Sequence, residues 1–87
     1  MYRIIILPKA LRSLESFPKP TAARIIARLS WLAENFDDLS PLPLKGGLSG
    51  TYKMRTGDWR IIYSFDVAKR SITVHLIGHR KDIYKLA

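Results

Sequence analysis

Apolar residues in the first half of the chain follow a strand pattern and then two helical patterns. Residues 2–7 contain three consecutive isoleucines, which favours a strand with little solvent on either face. Pro8 suits the first turn of a short helix, and Pro18 ends it. A second helix starts near Pro20 and closes within 35–40, because its apolar residues are spaced 4, 3 and 4 apart: Ile25, Leu29, Leu32 and Phe36. The two helices predict an antiparallel helical hairpin.

The second half changes to strand patterns. Residues 51–56, 59–65 and 71–77 predict three antiparallel strands, the last with one apolar face formed by Ile72, Val74 and Leu76. A short helix from about residue 80 to residue 86 completes the chain. The predicted fold is α+β, with an N-terminal strand, a two-helix hairpin, a three-stranded meander and a C-terminal helix. We expect a single domain over residues 1–87.

The turn between the first two meander strands fixes their register. Gly57 and Asp58 are typical of a two-residue type II′ hairpin loop. This loop pairs Arg55 with Arg60 and places Lys53 on the same face. Two arginines directly opposite each other destabilise a sheet, and no acidic residue of either strand shares their face. Three cations on one rigid face therefore indicate a phosphate-binding site, although solvated cations that splay apart are the simpler alternative.

Composition supports an anionic partner. The 87 residues include 15 Lys and Arg against seven Asp and Glu, and the net charge is +8. A small domain this basic is typical of nucleic-acid binding. The 47% hydrophobic content excludes a disordered chain. The absence of cysteine excludes disulfides and thiolate zinc sites and fits a cytoplasmic location, and no apolar run is long enough to span a membrane.

The C-terminal segment adds candidate RNA-binding groups. On a helix, Arg80 and Tyr84 lie on one face, which suits an arginine that binds phosphate and a ring that stacks on a base. His79 is a possible acid or base, although a structural role is the alternative. The sequence contains no metal-binding or P-loop motif, so we expect no metal and no cofactor. Further basic residues are predicted to contact RNA: Lys45, Lys81, Arg24 and Arg28.

Four segments in this order resemble the RelE/ParE toxin superfamily, and the RelE branch most closely. They are LKGGL at 44–48, YKMR at 52–55, GDWRIIY at 57–63 and GHRKDIY at 78–84. The resemblance covers essentially the whole chain. It implies the toxin of a type II toxin–antitoxin system, a small ribonuclease that enters the ribosomal A site and cuts mRNA there. It also implies a cognate RelB-like acidic antitoxin, bound in a hetero-oligomer, and no membrane partner.

The resemblance also implies a set of catalytic residues. Lys53 matches a catalytic lysine of the family, Arg60 a phosphate-binding arginine, Arg80 an arginine proposed as general acid, and Tyr84 a tyrosine that orients the substrate. Arg55 departs from the family, since many members have a second lysine there. Arginine stays protonated and is a poor base, so Lys53 is the better candidate base, and His79 competes for that role.

These residues suit metal-free cleavage of RNA. A base takes the proton of the 2′-OH, the oxygen attacks the adjacent phosphorus, and cations stabilise the negative charge that develops. A ParE-like DNA gyrase inhibitor without nuclease activity is the alternative function. A third possibility is a non-catalytic RNA-binding module. Only the nuclease requires Lys53, Arg60, Arg80 and Tyr84 together.

Overall fold

A five-stranded sheet forms the centre of the molecule. The structure, a computed structural model, describes residues 1–44 and 50–86, without the side chains of Tyr84 and Leu86. The elements in chain order are β1 Arg3–Ile6, α1 Pro8–Ser16, α2 Lys19–Asn35, a 3₁₀ turn Phe36–Asp38, β2 Leu42–Pro43, β3 Tyr52–Thr56, β4 Trp59–Asp66, β5 Ser71–His79 and α3 Ile83–Leu86. This confirms the predicted α+β class, and none of the described helices is long and apolar enough to cross a membrane.

The strand order is β1-β5-β4-β3-β2, so the meander is extended on both sides. β1 pairs in parallel with β5, while the other neighbours are antiparallel. The expectation that β1 is shielded on both faces is wrong, because β1 lies at the sheet edge and Ile5 is 40% exposed. The short strand β2, Leu42–Pro43, pairs with β3 and was not predicted from the sequence.

The main core lies between the sheet and the first two helices. α1 packs on β5, and α2 contacts β1 and β3, so each helix of the predicted hairpin is anchored to the sheet. The predicted apolar spacing is confirmed, because Ile25, Leu29 and Leu32 of α2 are buried, as is Phe36 in the 3₁₀ turn that follows. Fully buried residues from α2, β4 and β5 meet there: Ile25, Leu32, Ile61, Ile72, Val74 and Ile77.

A bulge in β5 moves Leu76 to the opposite face of the sheet. The register shifts between Ile62 and Tyr63 of β4, which pair with Leu76 and Val74, so His75 is the extra residue. Leu76 therefore packs with Ile62 and Ile83 in a second, smaller cluster. The prediction of one face for Ile72, Val74 and Leu76 is wrong for this reason.

The second cluster docks α3 on the sheet. Ile83 is fully buried there, and a Cβ added at Gly78 would lie 3.1 Å from its Cδ1 atom. A side chain at position 78 would thus require the Ile83 side chain to shift by a few tenths of an ångström. The helix begins at Ile83 and not at Arg80 as predicted. The Arg80 N–H donates to the carbonyl of Asp58 at 2.8 Å and so continues the cross-strand bonding instead of starting a helix.

Candidate nucleic-acid interface

An open cleft of about 930 Å³ runs beside β3. α2, the segment after the 3₁₀ turn, β3, β4 and the residues that follow β5 all contribute to its wall. Among the described residues, its lining contains six basic side chains and no acidic one; the basic residues are Arg28, Lys53, Arg55, Arg60, Arg80 and Lys81. Such a lining raises the local concentration of an anionic ligand and binds phosphate groups.

The hairpin register is the predicted one. Arg55 pairs with Arg60, and the turn has φ +60° at Gly57 but no positive φ at Asp58, as a type II′ loop requires. The unfavourable pairing of two arginines is accommodated by hydrogen bonds to the backbone that the sequence did not indicate. Arg60 Nη1 donates to the carbonyls of Gly57 and Trp59, both at 2.9 Å. Backbone carbonyls thus hold the guanidinium at the hairpin end while Arg55 remains exposed.

Lys53 lies in the middle of this sheet face. It is half-buried, and its cross-strand partners are Leu42 on β2 and Ile62 on β4. The aliphatic part of the Lys53 side chain therefore lies between apolar neighbours. Lys53 lines the cleft together with Arg55 and Arg60. The pairing of Lys53 with Leu42 could not be predicted from the sequence, because β2 was not predicted.

Arg80 is attached to the hairpin tip by two contacts with Asp58. Besides the backbone hydrogen bond, its Nε atom lies 3.5 Å from Asp58 Oδ1. The ion pair engages the Nε side of the guanidinium, and among residues 1–44 and 50–86 the two Nη atoms have no hydrogen-bond or ion-pair partner. Asp58 is thus a functional candidate that the sequence analysis treated only as a turn residue.

The two histidines lie on opposite faces because of the β5 bulge. His75 Nε2 is 2.7 Å from Ser64 Oγ, a contact within the sheet. His79 pairs with Trp59 and meets its ring edge-on at 5.5 Å. The Nδ1 atom of His79 accepts a hydrogen bond from the Lys81 backbone at 3.2 Å, which puts the proton of a neutral ring on Nε2. His79 is not among the described cleft residues, which favours the structural alternative for it.

Only some of the remaining predicted site residues line the cleft. Lys81 and Arg28 line the cleft, whereas Arg24 is exposed on α2 outside that lining. Lys45 and the side chain of Tyr84 lie outside the described residues. The backbone of Tyr84 belongs to α3, but Arg80 precedes that helix, so the proposed shared helical face does not exist.

Two aromatic residues of the cleft were missed by the sequence analysis. Burial and the neighbouring Tyr52 raise the pKa of Tyr63 to about 12, so its hydroxyl stays protonated near neutral pH and is no general base. Trp31 is 39% exposed, and the guanidinium carbon of Arg28 lies 4.2 Å from its ring centroid. The spacing of three between Arg28 and Trp31 on a helix is the signal that would have found this pair. In the described part of the chain, no three His, Cys, Asp or Glu residues cluster to hold a metal ion.

Comparison with known proteins identifies the family. A sequence model described as the ParE toxin of type II toxin–antitoxin systems matches residues 4–84. The chain belongs to this family. It is therefore a type II toxin of the RelE/ParE superfamily, as the sequence resemblance indicates.

Individual relatives carry RelE-type names. The chain is 32% identical to toxin RelG of Mycobacterium tuberculosis over 97% of each protein. The RelBE2 toxin–antitoxin complex of the same organism contains a chain with a TM-score of 0.75 at 23% identity, covering 91% of this chain and 98% of that one. A chain of the archaeal RelE–RelB complex from Pyrococcus horikoshii has a TM-score of 0.68 at 27% identity, with 91% and 94% covered.

Proposed function

We propose that this toxin is a ribosome-dependent endoribonuclease that cleaves mRNA in the ribosomal A site and so stops translation in the cytoplasm. The observation that carries the proposal is the cleft lined by Lys53, Arg55, Arg60 and Arg80, with no acidic residue in its described lining. A phosphodiester chain fits this charge. The RelE-type relatives support the same branch of the superfamily.

The proposed reaction is a transfer within the RNA. Lys53, as the neutral amine, takes the proton of the 2′-OH, and the oxygen attacks the adjacent phosphorus. Arg55 and Arg60 stabilise the negative charge of the pentavalent phosphorane. The bond to the 5′-oxygen breaks, and Arg80 or a water molecule bound by it delivers the proton to that oxygen. The products are a 2′,3′-cyclic phosphate and a 5′-hydroxyl.

The ribosome has a physical role in this scheme. Arginine is a weak proton donor, and the neutral amine is the minor form of an ordinary lysine, so acid–base catalysis alone is slow. Much of the rate must come from holding the 2′-OH in line with the scissile bond. A decoded mRNA held in the A site supplies that geometry, and α3, which carries Tyr84, would complete the contact on the toxin side.

Primer extension on mRNA in a purified translation system tests this function. We expect cuts at codons in the A site when ribosomes are present and none when they are omitted. A parallel gyrase supercoiling assay tests the ParE-like alternative, whose name the matching family model carries. Inhibited gyrase with intact mRNA would replace the nuclease proposal by that alternative.

We also propose a cognate acidic antitoxin as partner, since the RelBE2 and P. horikoshii structures are toxin–antitoxin complexes. An acidic segment that covers the basic cleft would exclude RNA from it. Charge attraction mainly accelerates association, so the on-rate should fall steeply with salt while the off-rate changes less. Stopped-flow binding over a salt series checks this expectation. An on-rate that is flat from low to high salt would place the interface away from the cleft.

A further inference from the structure

One aromatic ring of the cleft has no role in the proposed chemistry. Trp31 lies on α2 and is 39% exposed. Its ring lines the same cleft as the catalytic candidates. The stability of the fold does not explain this exposure, because the buried residues of α2 that face the sheet are others: Ile25, Leu29, Leu32 and Ala33.

Arg28 contacts the ring of Trp31 directly. Its guanidinium carbon lies 4.2 Å from the indole centroid, a cation–π contact between residues one helical turn apart. Arg28 is half-buried and also lines the cleft, and its guanidinium lies over one face of the indole, so the pair forms a stacked cation and aromatic ring. Arginine and tryptophan planes are the groups on which unpaired bases stack.

The cleft lining has two chemical parts. Its apolar side chains come largely from residues 31–42, where Trp31 is joined by Leu39, Pro41 and Leu42. Its cations, apart from Arg28, come from residues 53–81. A nucleotide has the same two parts, a flat base and an anionic phosphate. The carboxylates of an acidic peptide match the cations alone, whereas every nucleotide carries both a phosphate and a flat ring.

We infer that Trp31, supported by Arg28, is a base-stacking platform that binds one unpaired nucleobase of the RNA whose phosphates occupy the basic part of the cleft. This inference rests on the proposed function and adds a subsite for the base. The platform binds and does not react, so its loss weakens RNA binding without slowing the chemical step.

Fluorescence distinguishes the platform from a general attraction to polyanions. The chain has two tryptophans, and Trp59 is packed against Phe17, with ring centroids 4.5 Å apart, and against His79. Trp59→Phe therefore keeps an aromatic core residue and leaves Trp31 as the only indole. We expect a short 2′-O-methyl RNA, which cannot be cleaved, to quench this fluorescence. An abasic oligonucleotide of equal length and charge should bind without quenching. Equal quenching by both would overturn the inference.

Variants test the same point in ribosome-dependent cleavage. Trp31→Ala should raise KM roughly tenfold or more with kcat little changed, while Trp31→Phe should stay near the wild type. Arg28→Lys keeps the charge but loses the planar stack, so its KM should lie between these two. Glu15→Gln, a charge change on the exposed face of α1, is the control for altered electrostatics. Thermal melts should be similar for all four proteins.

The outcomes separate this inference from the function on which it rests. If the wild type cuts mRNA and Trp31→Ala has the same KM, the platform is overturned and the nuclease stands. If Trp31→Ala cleaves normally but no longer binds the antitoxin, Trp31 belongs to the protein interface, which also overturns the inference. If the wild type never cuts mRNA on ribosomes, the nuclease fails, and base-dependent quenching would still support an RNA-binding subsite.

Discussion

Arg80 is bound to Asp58 across the end of the sheet, through its backbone N–H at 2.8 Å and through its Nε atom at 3.5 Å. The ion pair is exposed, with side-chain accessibilities of 55% and 67%, so its contribution to folding is small. Its geometric effect is expected to be larger, because the pair restrains a guanidinium that lines the cleft and whose two Nη atoms have no partner among the described residues. We therefore expect Asp58 to act as a positioning residue for Arg80.

Asp58→Asn should separate binding from cleavage. The substitution removes an anion near a basic cleft, so RNA binding should become equal or tighter. The cleavage rate at saturation should fall by roughly tenfold, because Arg80 is no longer held in place. Stability should change by at most about 1 kcal/mol. Single-turnover kinetics on ribosome complexes measure both constants, with Glu15→Gln as a matched loss of one negative charge. A rise in kcat would show instead that Asp58 only restrains Arg80.

Replacing Arg55 or Arg60 by alanine should change the stability of the fold by different amounts, although the two residues face each other in the sheet. Arg60→Ala removes hydrogen bonds to two backbone carbonyls, which should cost about 1–2 kcal/mol of stability. Arg55→Ala removes an exposed cation from a like-charge pair, so stability should be unchanged or slightly higher. Each variant should lose about 2–4 kcal/mol of transition-state stabilisation if both arginines contact the phosphorane. Denaturant unfolding and cleavage assays measure the two effects. A stable Arg60→Ala protein that cuts normally would remove Arg60 from the site.

The hairpin was predictable in detail because its signal is local. Gly57 and Asp58 specify the loop, and the loop fixes the Arg55–Arg60 pairing two positions away. The environment of these residues was not predictable, since it depends on contacts distant in sequence or on backbone acceptors. Nothing in the local pattern marks the extra residue at His75 that moves Leu76 across the sheet. The two-residue strand β2 is equally hidden, because prolines usually argue against a strand.

Docking of α3 should depend on one buried side chain. Ile83 is fully buried over Gly78 and packs in the small second cluster, away from the main core. Ile83→Ala should weaken this contact by about 2–5 kcal/mol, enough to detach a four-residue helix. Since Tyr84 belongs to that helix, cleavage should fall while the sheet remains folded. Hydrogen exchange should accelerate in 83–86 and not in β4. Uniform acceleration throughout the chain would indicate global destabilisation instead.

The surface ion pair between Arg70 and Asp37 is expected to contribute to the acid sensitivity of the fold. Arg70 Nη2 lies 3.0 Å from Asp37 Oδ2, and this hydrogen bond lowers the pKa of Asp37 below its ordinary value of 3.8. A carboxyl whose pKa is lower in the folded state adds stability above its unfolded pKa. That stability is lost as the pH falls from about 5 through the folded pKa. Asp37→Asn should therefore flatten the decline of Tm with acid in this range. An unchanged decline would assign the acid sensitivity to other carboxyls.

If the basic cleft cleaves RNA through the 2′-OH of the mRNA itself, removing this one oxygen atom from the substrate should abolish cleavage. Ribosomes are programmed with an mRNA carrying either the normal 2′-OH or a 2′-H at the nucleotide before the scissile bond, and single-turnover cleavage is measured for both. We expect the normal mRNA to yield a 2′,3′-cyclic phosphate and the 2′-deoxy mRNA to remain intact although it binds equally well. Equal cleavage of the two mRNAs would contradict the mechanism, because the nucleophile would then come from elsewhere.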